Sequence, residues 1–211
     1  MVYTWYRSCI KKTDNMNEID KFLQIRTNNV KPAKGRILLS EPLLGDYFFG
    51  RSVVLLAEHN DEGSFGTILN KQISANFNEV VKDFPDFDAP VYLGGPVDTE
   101  NIFYIHTKGD QLENSTEIIK GLFWGGDIEM LKEMMLLKAI EPKDIRFFIG
   151  YSGWESQQLE MELEKNSWII ARAARKDVFG VEPTTMWETL VNKMGEEYRY
   201  WKNFPVDPNA N

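Results

Sequence analysis

Ile145-Arg146-Phe147-Phe148-Ile149 runs directly into Gly150-Tyr151-Ser152-Gly153-Trp154-Glu155. The first five residues are mostly β-branched or aromatic with a single charge, which is how a central strand reads. Ser152 and Glu155 stand three apart, the spacing of a capping box, so a helix is expected to start there and to turn Leu159 and Leu163 inward. Strand, glycine turn and helix in succession point to an α/β fold.

Working outward toward the C-terminus, Trp168-Ile169-Ile170-Ala171 reads as another strand. Met186, Trp187, Leu190, Val191 and Met194 then recur at helical spacing up to Gly195, which can close the helix, and Tyr198 and Trp201 predict a last docked turn. On the N-terminal side, Asp127 is placed to cap a helix over 128–137, barred from continuing by Pro142. Val91-Tyr92-Leu93, Ile102 to Ile105 and Glu117 to Ile119 are short runs with strand composition.

Further upstream, Ile37-Leu38-Leu39 and residues 52–57 read as buried strands, and Asn60-Asp61-Glu62-Gly63 predicts a turn that makes 52–70 a β-hairpin. Phe77, Val80, Val81 and Phe84 suit a short helix capped by Asn76 or Ser74 and ended before Pro85. An amphipathic entry helix is expected over 17–29, from Ile19, Phe22, Leu23 and Arg26. Strands and helices alternate irregularly, with two direct strand-to-strand connections, so a mixed sheet or small barrel wrapped by helices fits better than a regular doubly wound sheet.

The 211 residues are 43% hydrophobic, and a chain of this length can remove about 70% of its unfolded surface from water, enough for a core without metals or disulfides. No linker interrupts the periodic segments, so residues 16–204 are expected to form one domain, with 205–211 a C-terminal tail. Residues 1–15 differ in composition, and Met16 precedes the first helical pattern. They are expected to be a tail or to lie ahead of the true start.

Cys9 is the only cysteine, which removes any intramolecular disulfide and fits a reducing compartment. Apolar runs such as Val53 to Ala57 fall far short of the roughly 20 residues that span a bilayer, and no leader pattern follows the N-terminal basic residues. A cytoplasmic protein is expected. The net charge of −8 and isoelectric point near 4.9 repel phosphate backbones. The clusters Lys31/Lys34/Arg36 and Arg172/Arg175/Lys176 are small and lack interleaved aromatics, so they read as solvated surface and direct nucleic-acid binding is not expected.

Residues with chemical potential are few. His59 and His106 show no ligand spacing, and standard zinc sites need three or four ligands, so neither a metal nor a cofactor is expected. Ser152 lacks the G-x-S-x-G frame of a nucleophile elbow and reads as the helix cap. Gly94-Gly95-Pro96 and Gly125-Gly126-Asp127 continue into no dinucleotide or phosphate motif; tight turns explain them, leaving room for an anion or small polar ligand on their amides. Glu160 and Glu164 lie off the Leu159/Leu163 stripe, as on a solvated face.

Six segments taken in order carry a resemblance: Gly35-Arg-Ile-Leu-Leu-Ser-Glu-Pro, Arg51-Ser-Val-Val-Leu-Leu-Ala-Glu-His, Gly66-Thr-Ile-Leu-Asn-Lys, Tyr92-Leu-Gly-Gly-Pro-Val, His106-Thr, and Gly150-Tyr-Ser-Gly-Trp-Glu-Ser-Gln-Gln-Leu-Glu. Together they resemble the YqgE/AlgH family across most of residues 35–170. The resemblance implies an α/β fold on a bifurcated mixed sheet that includes a small β-barrel, with helices around it. It also implies a bacterial, cytosolic protein of a kind often labelled a transcriptional regulator, a label drawn from genetics more than from chemistry. No catalytic set carries over. The first 34 residues and Trp187 to Trp201 lie outside the better-matched motifs.

A pocket is expected just beyond the strand ends at Gly94-Gly95-Pro96-Val97 and Gly150-Tyr151-Ser152-Gly153-Trp154, where α/β crevices form. His59, Asn70, His106 and Gln158 are the polar side chains expected to converge there, unless Trp154 and the glycines are a packing knot. The leading functional expectation is a non-catalytic regulatory or ligand-sensing protein acting through a protein partner or small ligand. The alternative is a hydrolase acting on a small polar or phosphorylated substrate at the Gly94/Gly153 crevice. Homodimer assembly is a third reading.

Overall fold

A computed structural model describes residues 28–204 of the chain. The expected start at Met16, both tails and nearly all of the entry helix lie outside the described residues. Asn28 and Asn29, at that helix's expected end, are irregular, and Asn28 instead bonds the edge of the sheet: its side-chain amide donates to Ile170 O (2.6 Å) and accepts from Ile170 N (3.2 Å).

Ten strands form a mixed sheet: β1 (Arg36–Ser40), β2 (Val53–Asn60), β3 (Gly63–Ile68), β4 (Gln72–Asn76), β5 (Pro90–Leu93), β6 (Val97–His106), β7 (Thr116–Ile119), β8 (Leu122–Trp124), β9 (Ile145–Glu155) and β10 (Trp168–Arg172). The main path runs β10-β1-β2-β3-β9-β6-β8-β7, antiparallel at every step. Among the described residues there are five α-helices, α1 (Phe77–Val80), α2 (Ile128–Leu136), α3 (Gln158–Glu164), α4 (Arg175–Phe179) and α5 (Pro183–Lys193), and three short 3-10 helices.

The sheet forks at β9. One side pairs with β6. The other pairs with β3 through Ser152–Glu155 and, parallel, with β5 through Phe147–Ile149. Strand β5 carries β4 with it, so two branches leave one edge of a single long strand. The main path curls until β7 returns to the start of β1, where a side chain at Gly35 would overlap Ile119 Cγ2. The bifurcated sheet with a barrel-like portion is therefore present, and three apolar clusters fill its sides. One lies inside the curl under α5, one between β5, β9 and α2, and one beneath α3.

The expected turn and helix start at Ser152 is corrected. Strand β9 continues for 11 residues through Gly150-Tyr151-Ser152-Gly153-Trp154, because β3 offers a full ladder to its second half. Tertiary pairing overrides the local capping signal. The Ser152 hydroxyl caps nothing: it is fully buried and donates to Gly94 O at 2.9 Å. Helix α3 starts at Gln158, and there the Gln158 side chain accepts from Glu155 N.

The helix expected over 77–84 is a single turn, held by Glu79 accepting from Asn76 N. Asp127 caps α2 through Met130 N, as its sequence predicts. Strands β4 and β8 and helix α4 were not anticipated. They are short, and β4 (Gln-Ile-Ser-Ala-Asn) is polar at alternate positions and exposed.

Candidate functional site: an aromatic groove on one sheet face

Strand pairing decides which side chains meet. In the ladder, Glu58 faces Phe65, Phe65 faces Gly153, Asn60 faces Gly63, and Gly63 faces Glu155. Successive strand residues point to opposite sides, so Glu58, Asn60, Phe65, Tyr151, Gly153 and Glu155 share one face. His59, Ser64, Ser152 and Trp154 share the other.

On the first face lies an open groove of about 850 Å³. Its floor is a ring of four half-buried aromatics from four strands. Phe65 meets Trp124 edge-on at 5.5 Å, Trp124 stacks on Phe103 at 5.8 Å, Phe103 meets Tyr151 at 5.3 Å, and Tyr151 returns to Phe65 at 6.1 Å. Rings in edge and offset contact hold each other firmly. Phe65, Phe103 and Trp124 also rest on the core inside the curl. Gly153 adds no side chain at mid-floor; a Cβ there would lie 3.3 Å from Tyr151 Cε2. The rim carries Glu58, Glu62 and Glu155 with Asn60 and Gln158, and among the described residues the lining holds no lysine, arginine, histidine or cysteine.

Tyr151, Gly153, Trp154 and Gln158, all anticipated, line this groove. Trp154 turns its indole to the far side, where Nε1 donates to Glu162 Oε2 at 2.9 Å; Trp168 Nε1 donates to the same oxygen at 2.7 Å. Gln158 bridges Glu155 N and Glu162 Oε1.

The other anticipated residues sit elsewhere. Gly94 and Gly95 fill the crotch of the fork. Gly94 N donates to Ile149 O, its carbonyl accepts from Ile68 N, and side chains at Gly94 and Gly95 would overlap the carbonyls of Gly150 and Tyr151. Pro96 is exposed beside them. Asn70 accepts from Val53 N and donates to Arg51 O, tying the ends of the hairpin together.

His106 is fully buried and lines neither this groove nor the smaller one described next. Nδ1 accepts from Lys108 N, so Nε2 carries the proton and donates to Gly125 O at 2.8 Å. Burial pushes its pKa below the ordinary 6.5, against the opposing bond to Gly125. His59 borders a second groove of about 390 Å³ with Asn60, Asp61, Ser156, Gln157 and Glu160. Its Nδ1 lies 2.7 Å from Ser64 Oγ and its Nε2 3.7 Å from Glu160. The two histidines therefore do not converge.

Sequence reading missed Phe65, Phe103, Trp124, Glu58 and Glu62. A two-residue hairpin turn at Asp61-Glu62 could have shown that Glu58 stands opposite Phe65, but no local signal brings Phe103 and Trp124 to them. Pairing of β1 with β10 also sets Arg36 opposite Arg172, merging two basic clusters that looked separate. Among the described residues, no three His, Cys, Asp or Glu side chains are grouped to hold a metal ion, and no helix is long and apolar enough to cross a membrane.

Fold and groove together define a mixed α/β protein with a sheet split at one long strand and an aromatic cleft beside the split. The chain belongs to the AlgH-like family, whose profile matches residues 37–199; the match thus extends through α5, beyond the motifs quoted above. A UPF0301 protein of Bacteroides thetaiotaomicron is 41% identical over 93% of this chain and 100% of its own length. One of Cytophaga hutchinsonii is 45% identical over 84% and 98%. The solution structure of Pseudomonas aeruginosa AlgH superposes with a TM-score of 0.64 at 26% identity, covering 80% of this chain and 93% of that one. A Corynebacterium diphtheriae crystal structure matches at TM-score 0.68 and 23% identity, covering 83% and 94%, a likeness of fold.

Proposed function

We propose that this chain is a non-catalytic cytoplasmic binding protein that takes a partner or ligand in the aromatic groove, and that any influence on transcription runs through that contact without an operator in hand. The observation that carries this reading is four half-buried aromatic rings in mutual contact along an open groove that, among the described residues, carries no imidazole, thiol or amine. Pre-formed, mostly apolar clefts with a few polar rim groups are where ligands bind. The acidic charge disfavours DNA as the direct target.

The test is ¹⁵N NMR of the full chain with small aromatic and aliphatic fragment probes. Shifts focused on Phe103, Trp124 and Tyr151 are expected. Tight duplex-DNA binding with a steep salt slope, centred on Arg36 and Arg172, overturns the reading.

A hydrolase is the second reading, and one arrangement favours it: Ser64, His59 and Glu160 stand in the order nucleophile, base, orienting acid. Against it, Ser64 is 8% exposed and its side chain points away from the groove. Its bond to His59 is a cross-strand pair, which needs no catalytic role. Esterase or phosphatase activity abolished by Ser64→Ala would establish this second reading; unchanged background turnover in that variant excludes it.

A further inference from the structure

We infer that the groove takes a basic, arginine-bearing peptide segment of a partner protein, an inference that rests on the groove being the binding site. Two independent features of the cleft select for positive charge. The floor is built from the rings of Phe65, Phe103, Trp124 and Tyr151, and cations are attracted to the electron-rich faces of aromatic rings, Trp above all. The rim sets Glu58, Glu62 and Glu155 around that floor with no cation among the described lining residues. Lys34 lies 3.6 Å from Glu58 and partly neutralises it. Among the described residues, Glu62 and Glu155 have no ion-pair partner.

The cleft also crosses β2, β3, β9, β6 and β8 in the open, which suits a length of chain better than an enclosed small molecule. Arginine fits the pair of demands better than lysine, because a planar guanidinium stacks on a ring while its edge bonds a carboxylate. The net charge of −8 adds long-range attraction for such a segment. A second copy of this acidic chain is correspondingly a poor occupant.

The experiment titrates the ¹⁵N-labelled full chain with acetyl-Gly-Arg-Gly-Arg-Gly-amide and with the same peptide carrying citrulline, which keeps the shape and removes the charge. The arginine peptide is expected to shift Phe103, Trp124, Tyr151 and Gly153, to bind about tenfold more tightly than the citrulline peptide, and to weaken as salt rises. Glu62→Gln with Glu155→Gln should erase most of that preference, with unchanged urea unfolding as the control for folding. Equal affinity of the two peptides for the groove overturns the cationic occupant while leaving the groove as a site. Arginine-peptide shifts confined to the outer face of α3, or absent at saturation, also overturn the inference. The fragment probes then report separately on whether the groove binds anything.

Discussion

Phe65 on β3 stands directly opposite Gly153 on β9, and the floor of the groove exists because the second of these has no side chain. The pairing thus joins one aromatic wall to one deliberate gap.

Substitution at that gap should separate folding from binding. Gly153→Ala meets only Tyr151 and Val97 side-chain atoms at 3.3 and 3.6 Å, so it should change stability by less than about 1 kcal/mol. Gly153→Leu should remain folded yet block the cleft. Gly95→Ala, with φ +154 and the Tyr151 carbonyl in the way, should cost about 3 kcal/mol or more. Urea unfolding and fragment binding check all three.

Ser152→Ala tests whether this serine braces the fork. Removing the bond to Gly94 O should cost about 1–2 kcal/mol, and helix α3 should keep its amide protection. Faster hydrogen exchange at Ile68 and Gly94, with none in Gln158–Glu164, is the expected pattern. A helix cap would give the reverse.

Glu162 holds two indole N–H groups on one carboxylate oxygen. Glu162→Leu should strand both, at a cost of about 2–4 kcal/mol, and should perturb the fluorescence of Trp154 and Trp168. Glu162→Gln retains one acceptor and should fall between. Because Gln158 also bonds Glu162, the rim of the groove should loosen in both variants.

His106 should titrate below 6.5, since burial favours its neutral form. The unfolded chain then takes up the proton first as pH falls. Its contribution to stability is therefore complete above pH 6.5 and declines on acidification through that value toward the lowered folded pKa. Imidazole NMR titration gives the pKa directly. Acidification across 6.5 should lower the urea midpoint of the natural chain more than that of His106→Gln.

Strands such as Ile37–Leu39, Val53–Ala57 and Trp168–Ala171, the Asp127 cap and the 60–63 hairpin turn were legible because their signals are local: alternation, β-branched composition, a carboxylate ahead of a helix. The family was legible from six short segments. Ser152 misled for the same reason, since a capping spacing is a local preference of about 1 kcal/mol and the β3 ladder outweighed it. Whether a glycine opens a groove or fills a crotch was beyond the sequence, because it depends on which backbone lies opposite: Phe65 for Gly153, the Tyr151 carbonyl for Gly95. The aromatic ring of Phe65, Phe103, Trp124 and Tyr151 was likewise decided only in three dimensions, where the pairing of β3, β6, β8 and β9 brings side chains up to 86 positions apart onto one face.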